Sequence, residues 1–165
     1  MAGTTYIKPE FAFGKAKLSD AQEIKALINS FEGKDVAQKA FGEVCSSIRD
    51  YFIARVDGEI VGSIALSFIW EGYAELRSLA VKKEHQKKGM GSRLVELAMY
   101  EAKIMGVRQL IGFTKKPGFF TKFGFEIVDR ESIPKEIMAI AHDIKCPHFP
   151  NCEFKIIAND LRHVE

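Results

Sequence analysis

The sequence predicts an α/β chain, with a mostly antiparallel sheet and one strand–loop–helix unit at its centre. Three observations point there. Two β-rich runs, Tyr51–Val56 and residues 60–70, flank Asp57-Gly58. That pair suits a type I′ hairpin turn, whose central residues both need positive φ. A further apolar run, Tyr73–Val81, is set off by Gly72 and followed by a basic loop over residues 82–88. Gly89 then opens a long helix to about Met105, with Leu94, Val95, Ala98, Ala102 and Met105 as its buried stripe.

The remaining elements follow in order. Residues 11–17 place Phe11 and Phe13 in alternation and read as a first strand. Ser19 is the expected N-cap of the next helix, with Gln22 closing a capping box and Ile24, Leu27, Ile28 and Phe31 on one face. A second helix is expected over residues 35–48, with Val36, Ala40 and Val44 as its stripe. Gln109–Thr114 reads as a strand, residues 117–123 as a short helix started by Pro117, and residues 125–128 as another strand. A short helix over 134–142 and a last strand over 154–158 complete the chain. Residues 1–10 read as a short tail, no repeat is visible, and residues 1–165 are expected to form one domain.

Composition excludes several function classes. The 24 basic and 22 acidic side chains leave a formal charge of +2, too even for a general nucleic-acid binder. No apolar run approaches the ~20 residues that span a bilayer. The first residues carry no hydrophobic signal core, so a cytoplasmic location is expected, with neither nucleic acid nor membrane as partner. Three cysteines, an odd number, make no disulfide framework and agree with a reducing compartment.

The chemistry is expected at Gln86-Lys87-Lys88-Gly89-Met90-Gly91-Ser92, between a strand and a helix. The first N–H groups of a helix lack intrahelical partners and carry the positive end of its dipole. A diphosphate can accept those bonds where side chains do not block it, and Gly89 and Gly91 leave the approach open. Lys82, Lys83, Lys87 and Lys88 surround the loop. A glycine pair alone also fits a tight turn with a solvated lysine face. The segment lacks the third glycine of the dinucleotide fingerprint and the Gly-Lys-Ser/Thr ending of the nucleoside-triphosphate loop.

Ala74-Glu75-Leu76-Arg77-Ser78-Leu79-Ala80-Val81, followed by Gln86-x-x-Gly89-x-Gly91, resembles the cofactor motif of the GCN5-related N-acetyltransferases, the GNAT family. Phe119-Phe120-Thr121-Lys122-Phe123-Gly124-Phe125 resembles that family's helix-to-strand step near the acetyl and pantetheine groups. The resemblance implies a GNAT fold: a mixed, mostly antiparallel sheet of about seven strands with helices on both faces. It implies acetyl-CoA as cosubstrate, with the backbone of Leu79, Ala80 and Val81 pairing with the pantetheine arm where a bulge splays the sheet. The backbone of Gln86, Lys87, Lys88, Gly89, Met90, Gly91 and Ser92 would cradle the diphosphate, and Phe120 would lie near the thioester. Acetyl would pass directly to an amine, with no acyl-enzyme and no metal. Many members carry a tyrosine where this chain has Phe120, and a phenyl ring cannot donate a proton to the leaving thiolate. Thr114, Thr121 or water could substitute, or the thiolate could leave unprotonated.

An attacking amine must first lose a proton. Glu75 and Arg77 stand at i and i+2 of one strand and so share a face. Glu75 is the candidate base, directly or through water. Arg77 is the candidate clamp for a substrate carboxylate, because its fork meets a carboxylate with two parallel bonds. A structural Glu–Arg pair is the alternative.

Ile133-Pro134-Lys135-Glu136 and Cys146-Pro147-His148-Phe149-Pro150-Asn151-Cys152-Glu153 resemble the tail of short amino-acid acetyltransferases similar to N-acetylglutamate synthase. That resemblance implies transfer to the α-amine of glutamate, the first step of arginine biosynthesis. An enzyme acting on a protein amine and a non-catalytic CoA-binding regulator are the rival classes. Cys146, Cys152, His142 and His148 could hold zinc, although their spacing is not that of common zinc sites; free thiols or a redox pair are the alternatives. Cys45 reads as core and His85 as solvated. A homodimer stays open.

Overall fold

The computed structural model describes residues 10–31, 36, 38–141 and 154–163. Seven strands, β1 (Phe11–Lys15), β2 (Tyr51–Val56), β3 (Glu59–Trp70), β4 (Tyr73–Val81), β5 (Gln109–Thr114), β6 (Glu126–Ile127) and β7 (Lys155–Asp160), form one sheet in the order β1-β2-β3-β4-β5-β7-β6. The helices are α1 (Ala21–Asn29), α2 (Phe41–Ser46), α3 (Met90–Ile104), α4 (Pro117–Phe120) and α5 (Lys135–Ile140).

Neighbouring strands are antiparallel except β4 and β5. A parallel pair cannot be closed by a hairpin and needs a crossover, which α3 supplies. The β2–β3 hairpin turns at Asp57 and Gly58, with φ of 48° and 83°, as the Asp-Gly pair predicts.

Alternation along β3 separates two cores. Ile64 and Leu66 pack with Leu94, Val95, Ala98 and Ala102 of α3. Ala65, between them, packs with Ile24, Leu27 and Ile28 of α1. Successive strand side chains point to opposite faces, so α1 and α3 cover opposite sides of the sheet. A third cluster joins Ile111 of β5 to Ile137 and Met138 of α5. The α/β architecture with helices on both faces is therefore as expected.

Several local expectations change. Ser19 does not cap α1; it lies in a 3₁₀ turn, Leu18–Asp20, that precedes it. Asp20 instead accepts the Lys17 N–H at 2.8 Å and pairs with Arg55 at 2.5 Å. The second helix is only Phe41–Ser46, because Ala40 is extended with ψ of 155° and its N–H bonds the Glu43 carboxylate at 2.7 Å. Ala40 is exposed, while Val44 is buried and Val36 packs against the α1-side core. Met105 falls one residue past α3 and is 61% exposed, so it leaves the stripe. The step after β5 divides into α4 and a 3₁₀ turn, Thr121–Phe123, that ends at Gly124 with φ of 91°. Among the described residues no helix is long and apolar enough to cross a membrane.

Candidate active site

The site begins with a change of count between two strands. On β3, Ser63 and Ala65 are two positions apart; their partners on β4, Ala80 and Arg77, are three apart. The extra residue is a β-bulge, and Ser78 takes it up with a left-handed φ of 55°. Alternation restarts behind it. Leu76 lies on the α3 side before the bulge, and Leu79 and Val81 lie there after it.

The bulge coincides with a parting of strands. β4 pairs with β5 from Tyr73↔Gln109 to Leu76↔Gly112 and no further. β5 continues beside β7 as far as Thr114↔Lys155. At the parting point Gly112 stands opposite Leu76, and a Cβ there would come 3.3 Å from Ile157 Cγ1 of β7. Beyond it, Arg77 to Val81 have β3 on one side and, among the described residues, no strand on the other. The Lys82 N–H is used on Val61 O of β3 at 2.8 Å. By alternation the backbone groups of Leu79 and Val81 face the opening.

The loop that follows closes one end of this opening. Gln86 Nε2 donates to the Val81 carbonyl at 2.8 Å, tying the loop to the strand. Lys87 and Gly89 both take left-handed φ, 60° and 84°, and bring the chain into α3 with Gly89 as its N-cap. A Cβ on Gly89 would meet nothing within 4 Å, so the space in front of the helix start is open. A Cβ on Gly91 would stand 3.4 Å from Phe119. The aromatic step thus leans on the glycine loop through Phe119. Phe120 is 8% exposed and packs edge-on against Phe119 and Phe125 at centroid distances of 5.0 and 5.7 Å.

The lysines around the loop are not equivalent. Lys83, Lys87 and Lys88 are exposed. Lys82 is bonded to Glu59, whose carboxyl it holds below the usual range by that bond and by its charge. Lys122, which the sequence reading passed over, donates to Ser92 Oγ at 2.6 Å and lies 4.8 Å from the Phe119 ring. It brings a cation to the first turn of α3.

Glu75 and Arg77 lie on the α1 side of β4, as their spacing predicts. Glu75 is 0% exposed, opposite Ser67 on β3 and Ile111 on β5. Arg77 is 6% exposed, and its ion pair is with Asp50 in the turn before β2, Nη2 to Oδ2 at 3.3 Å. Its Nε donates to Ser67 Oγ at 2.6 Å, Ser67 donates to Asp50 at 2.9 Å, and the Tyr51 ring lies 5.8 Å from the guanidinium. Sequence reading missed Asp50 and Ser67. The only available signal was the alternation that puts Ser67 on the face of the β4 pair. The two candidate acids have other bonds: Thr114 Oγ1 accepts the Lys116 N–H and Thr121 Oγ1 donates to Gly118 O, each at 2.9 Å.

Among the described residues no group of three or more His, Cys, Asp or Glu is placed to hold a metal. Cys146, Cys152, His142 and His148 lie outside them. Cys45 is a half-buried free thiol in α2.

A family model described as an acetyltransferase (GNAT) domain matches residues 47–127, from the Asp50 turn to β6. An uncharacterized N-acetyltransferase of Chlorobaculum tepidum is 34% identical over 123 residues, 74% of this chain and 79% of that one. The amino-acid acetyltransferase of Mycobacterium tuberculosis is 24% identical over 141 residues, 82% of this chain and 81% of that one. Among solved structures, Rv2747 of Mycobacterium tuberculosis, in complex with CoA and NLQ, has a TM-score of 0.82 at 22% identity, over 91% of this chain and 99% of that one. N-acetylglutamate synthase of Neisseria gonorrhoeae, complexed with coenzyme A and N-acetyl-glutamate, has a TM-score of 0.80 at 22% identity, over 94% of this chain but 36% of that one. The two structures share the fold. The bulged strand, the glycine-opened helix, the domain model and the Chlorobaculum relative agree that this chain is an N-acetyltransferase belonging to the GNAT family.

Proposed function

We propose that the chain transfers acetyl from acetyl-CoA to the α-amine of an acidic amino acid, glutamate being the first candidate. The observation that carries this is the open edge of β4 from Arg77 to Val81, next to an unobstructed helix start and on the same strand as Glu75 and Arg77. An extended amide arm can add to such an edge as a further strand. The pantetheine of CoA is such an arm, and the backbone of Leu79 and Val81 would receive it, while Ala80 between them is turned to Ser63 of β3. The diphosphate would then reach the backbone of residues 86–92, with Lys122 adding charge. Phe119 and Phe120 would wall the thioester from water.

With this placement the amine attacks the thioester carbonyl directly and the thiolate of CoA leaves. Glu75, which is fully buried, takes the amine's proton through a water. Arg77 anchors the side-chain carboxylate of the acceptor and so holds it away from Glu75. The amino-acid acetyltransferases among the relatives support an amino acid as acceptor.

The test is release of free thiol from acetyl-CoA in the presence of single amino acids and of a lysine-bearing peptide. Turnover with glutamate or aspartate is expected. Turnover with the peptide alone would replace the small-molecule reading. Binding of CoA without turnover on any amine would favour a regulator, the reading that Phe120 in place of tyrosine supports.

A further inference from the structure

Arginine keeps its proton at any working pH, so a guanidinium shut away from water needs a counter-charge at all times. The Arg77 side chain is 4% exposed. A bound acceptor carboxylate would supply that charge during turnover, but between turnovers another group must. In this structure the group is Asp50.

We propose that Asp50 is a built-in competitor for the acceptor's carboxylate. It neutralises Arg77 in the empty site, yields the guanidinium when the acceptor's side-chain carboxylate arrives, and thereby sets how tightly acidic acceptors bind. The proposal rests on the reading of Arg77 as the acceptor's anchor.

The geometry favours exchange over a permanent pair. The Arg77–Asp50 contact, at 3.3 Å, is long for a charge-assisted bond, whereas Arg77 Nε to Ser67 Oγ is short at 2.6 Å. Ser67 and the Tyr51 ring therefore keep the guanidinium in place when Asp50 withdraws. Asp50 ends the 3₁₀ turn Ile48–Asp50, and its side chain is 27% exposed against 4% for Arg77. A short rotation returns it to water, where a carboxylate is stable alone. The Ser67 hydroxyl, which donates to Asp50 at 2.9 Å, is then free to donate to the incoming carboxylate. The charge count points the same way. With Asp50 in place the pair is neutral and offers an anion little net attraction; without it the guanidinium presents a full, weakly screened charge.

The experiment is Asp50→Asn, which keeps shape and removes charge. The KM for glutamate is expected to fall, by roughly fivefold to tenfold, about the margin between a charge-assisted and a neutral bond. The KM values for glutamine and acetyl-CoA should move by less than about twofold, because neither has a side-chain carboxylate to place on Arg77. Glutamate should also raise the melting temperature of the variant more than that of the wild type. A merely structural Asp50 would lower stability equally with and without glutamate and leave the KM unchanged or raised; that result overturns the proposal. Where Asp50→Asn is insoluble, Asp50→Ser carries the same measurements. Arg77→Ala separates the two layers. If it leaves the KM for glutamate unchanged, the anchor reading fails. If it raises that KM while Asp50→Asn does not lower it, only the competitor fails.

Discussion

The two halves of β4 share a strand but not a neighbourhood. Tyr73 to Leu76 run between β3 and β5, bonded on both sides, with Ala74 fully buried and Leu76 nearly so. Arg77 to Val81 keep β3, pass through the bulge at Ser78 and, among the described residues, face no strand across the opening. Unpaired strand edges attract other strands, and proteins usually cover or disrupt them. Here the edge lies inside the sheet, between β4 and a β5 that continues beside β7. The first half holds the fold together. The second half is the proposed place for the cofactor.

Glu75 stands at the join, and its replacement tests the chemistry directly. Glu75→Gln keeps the size of the side chain and removes the proposed base. Turnover is expected to fall ~10²–10⁴-fold, with the affinity for acetyl-CoA nearly unchanged. Single-turnover rates and cofactor titrations over a range of pH check this. A loss below about threefold at every pH would make Glu75 a structural residue.

Leu76, one position on, should answer differently. Its side chain faces α3, and Leu76→Ala leaves a cavity between sheet and helix. Stability should drop by about 2–5 kcal/mol in urea unfolding, while CoA affinity of the folded fraction stays near wild type. A variant that keeps its stability but loses CoA binding would blur the division of β4 into a folding half and a binding half.

The sequence showed most of the first half and only part of the second. The bounds of β2, β4 and β5 could be read from their β-rich runs, because burial on a sheet imposes a pattern that composition records. The Asp57-Gly58 turn could be read because its backbone excludes most residues. The position of the bulge follows from a register between two strands, and Ser78 carries no local mark of it; family resemblance alone suggested a bulge there. Asp50 escaped notice because its partner Arg77 is 27 positions away and pairing at that distance leaves no periodicity. The helix expected over 35–48 failed for a local reason: Glu43 caps the Ala40 N–H and starts the helix late. The lysine ring was half right, since charge alone could not show that Lys82 turns to Glu59 or that Lys122 reaches Ser92.

The smallest expected effect concerns Ser78, and it tests what makes the two halves different. A non-glycine residue at φ of 55° crowds its Cβ against the following carbonyl, at a cost of roughly 1–2 kcal/mol. The Ser78 Oγ is also buried with no hydrogen-bond partner among the described residues, which adds a desolvation cost. Ser78→Gly removes both, against about 0.5–1 kcal/mol for the extra freedom glycine gives the unfolded chain. The net should be a gain of about 1 kcal/mol, a rise of roughly 2–4 °C in melting temperature for a chain of this size. If the bulge serves only to open the strand edge, glycine keeps it and CoA affinity stays within about twofold, since the proposed contacts come from the backbone of Leu79 and Val81. A fall in CoA affinity of more than about fivefold, with stability raised as expected, would mean that the orphaned hydroxyl is itself a ligand group. In that case the binding half of β4 begins at a side chain, and its partner would be a polar group of the pantetheine arm.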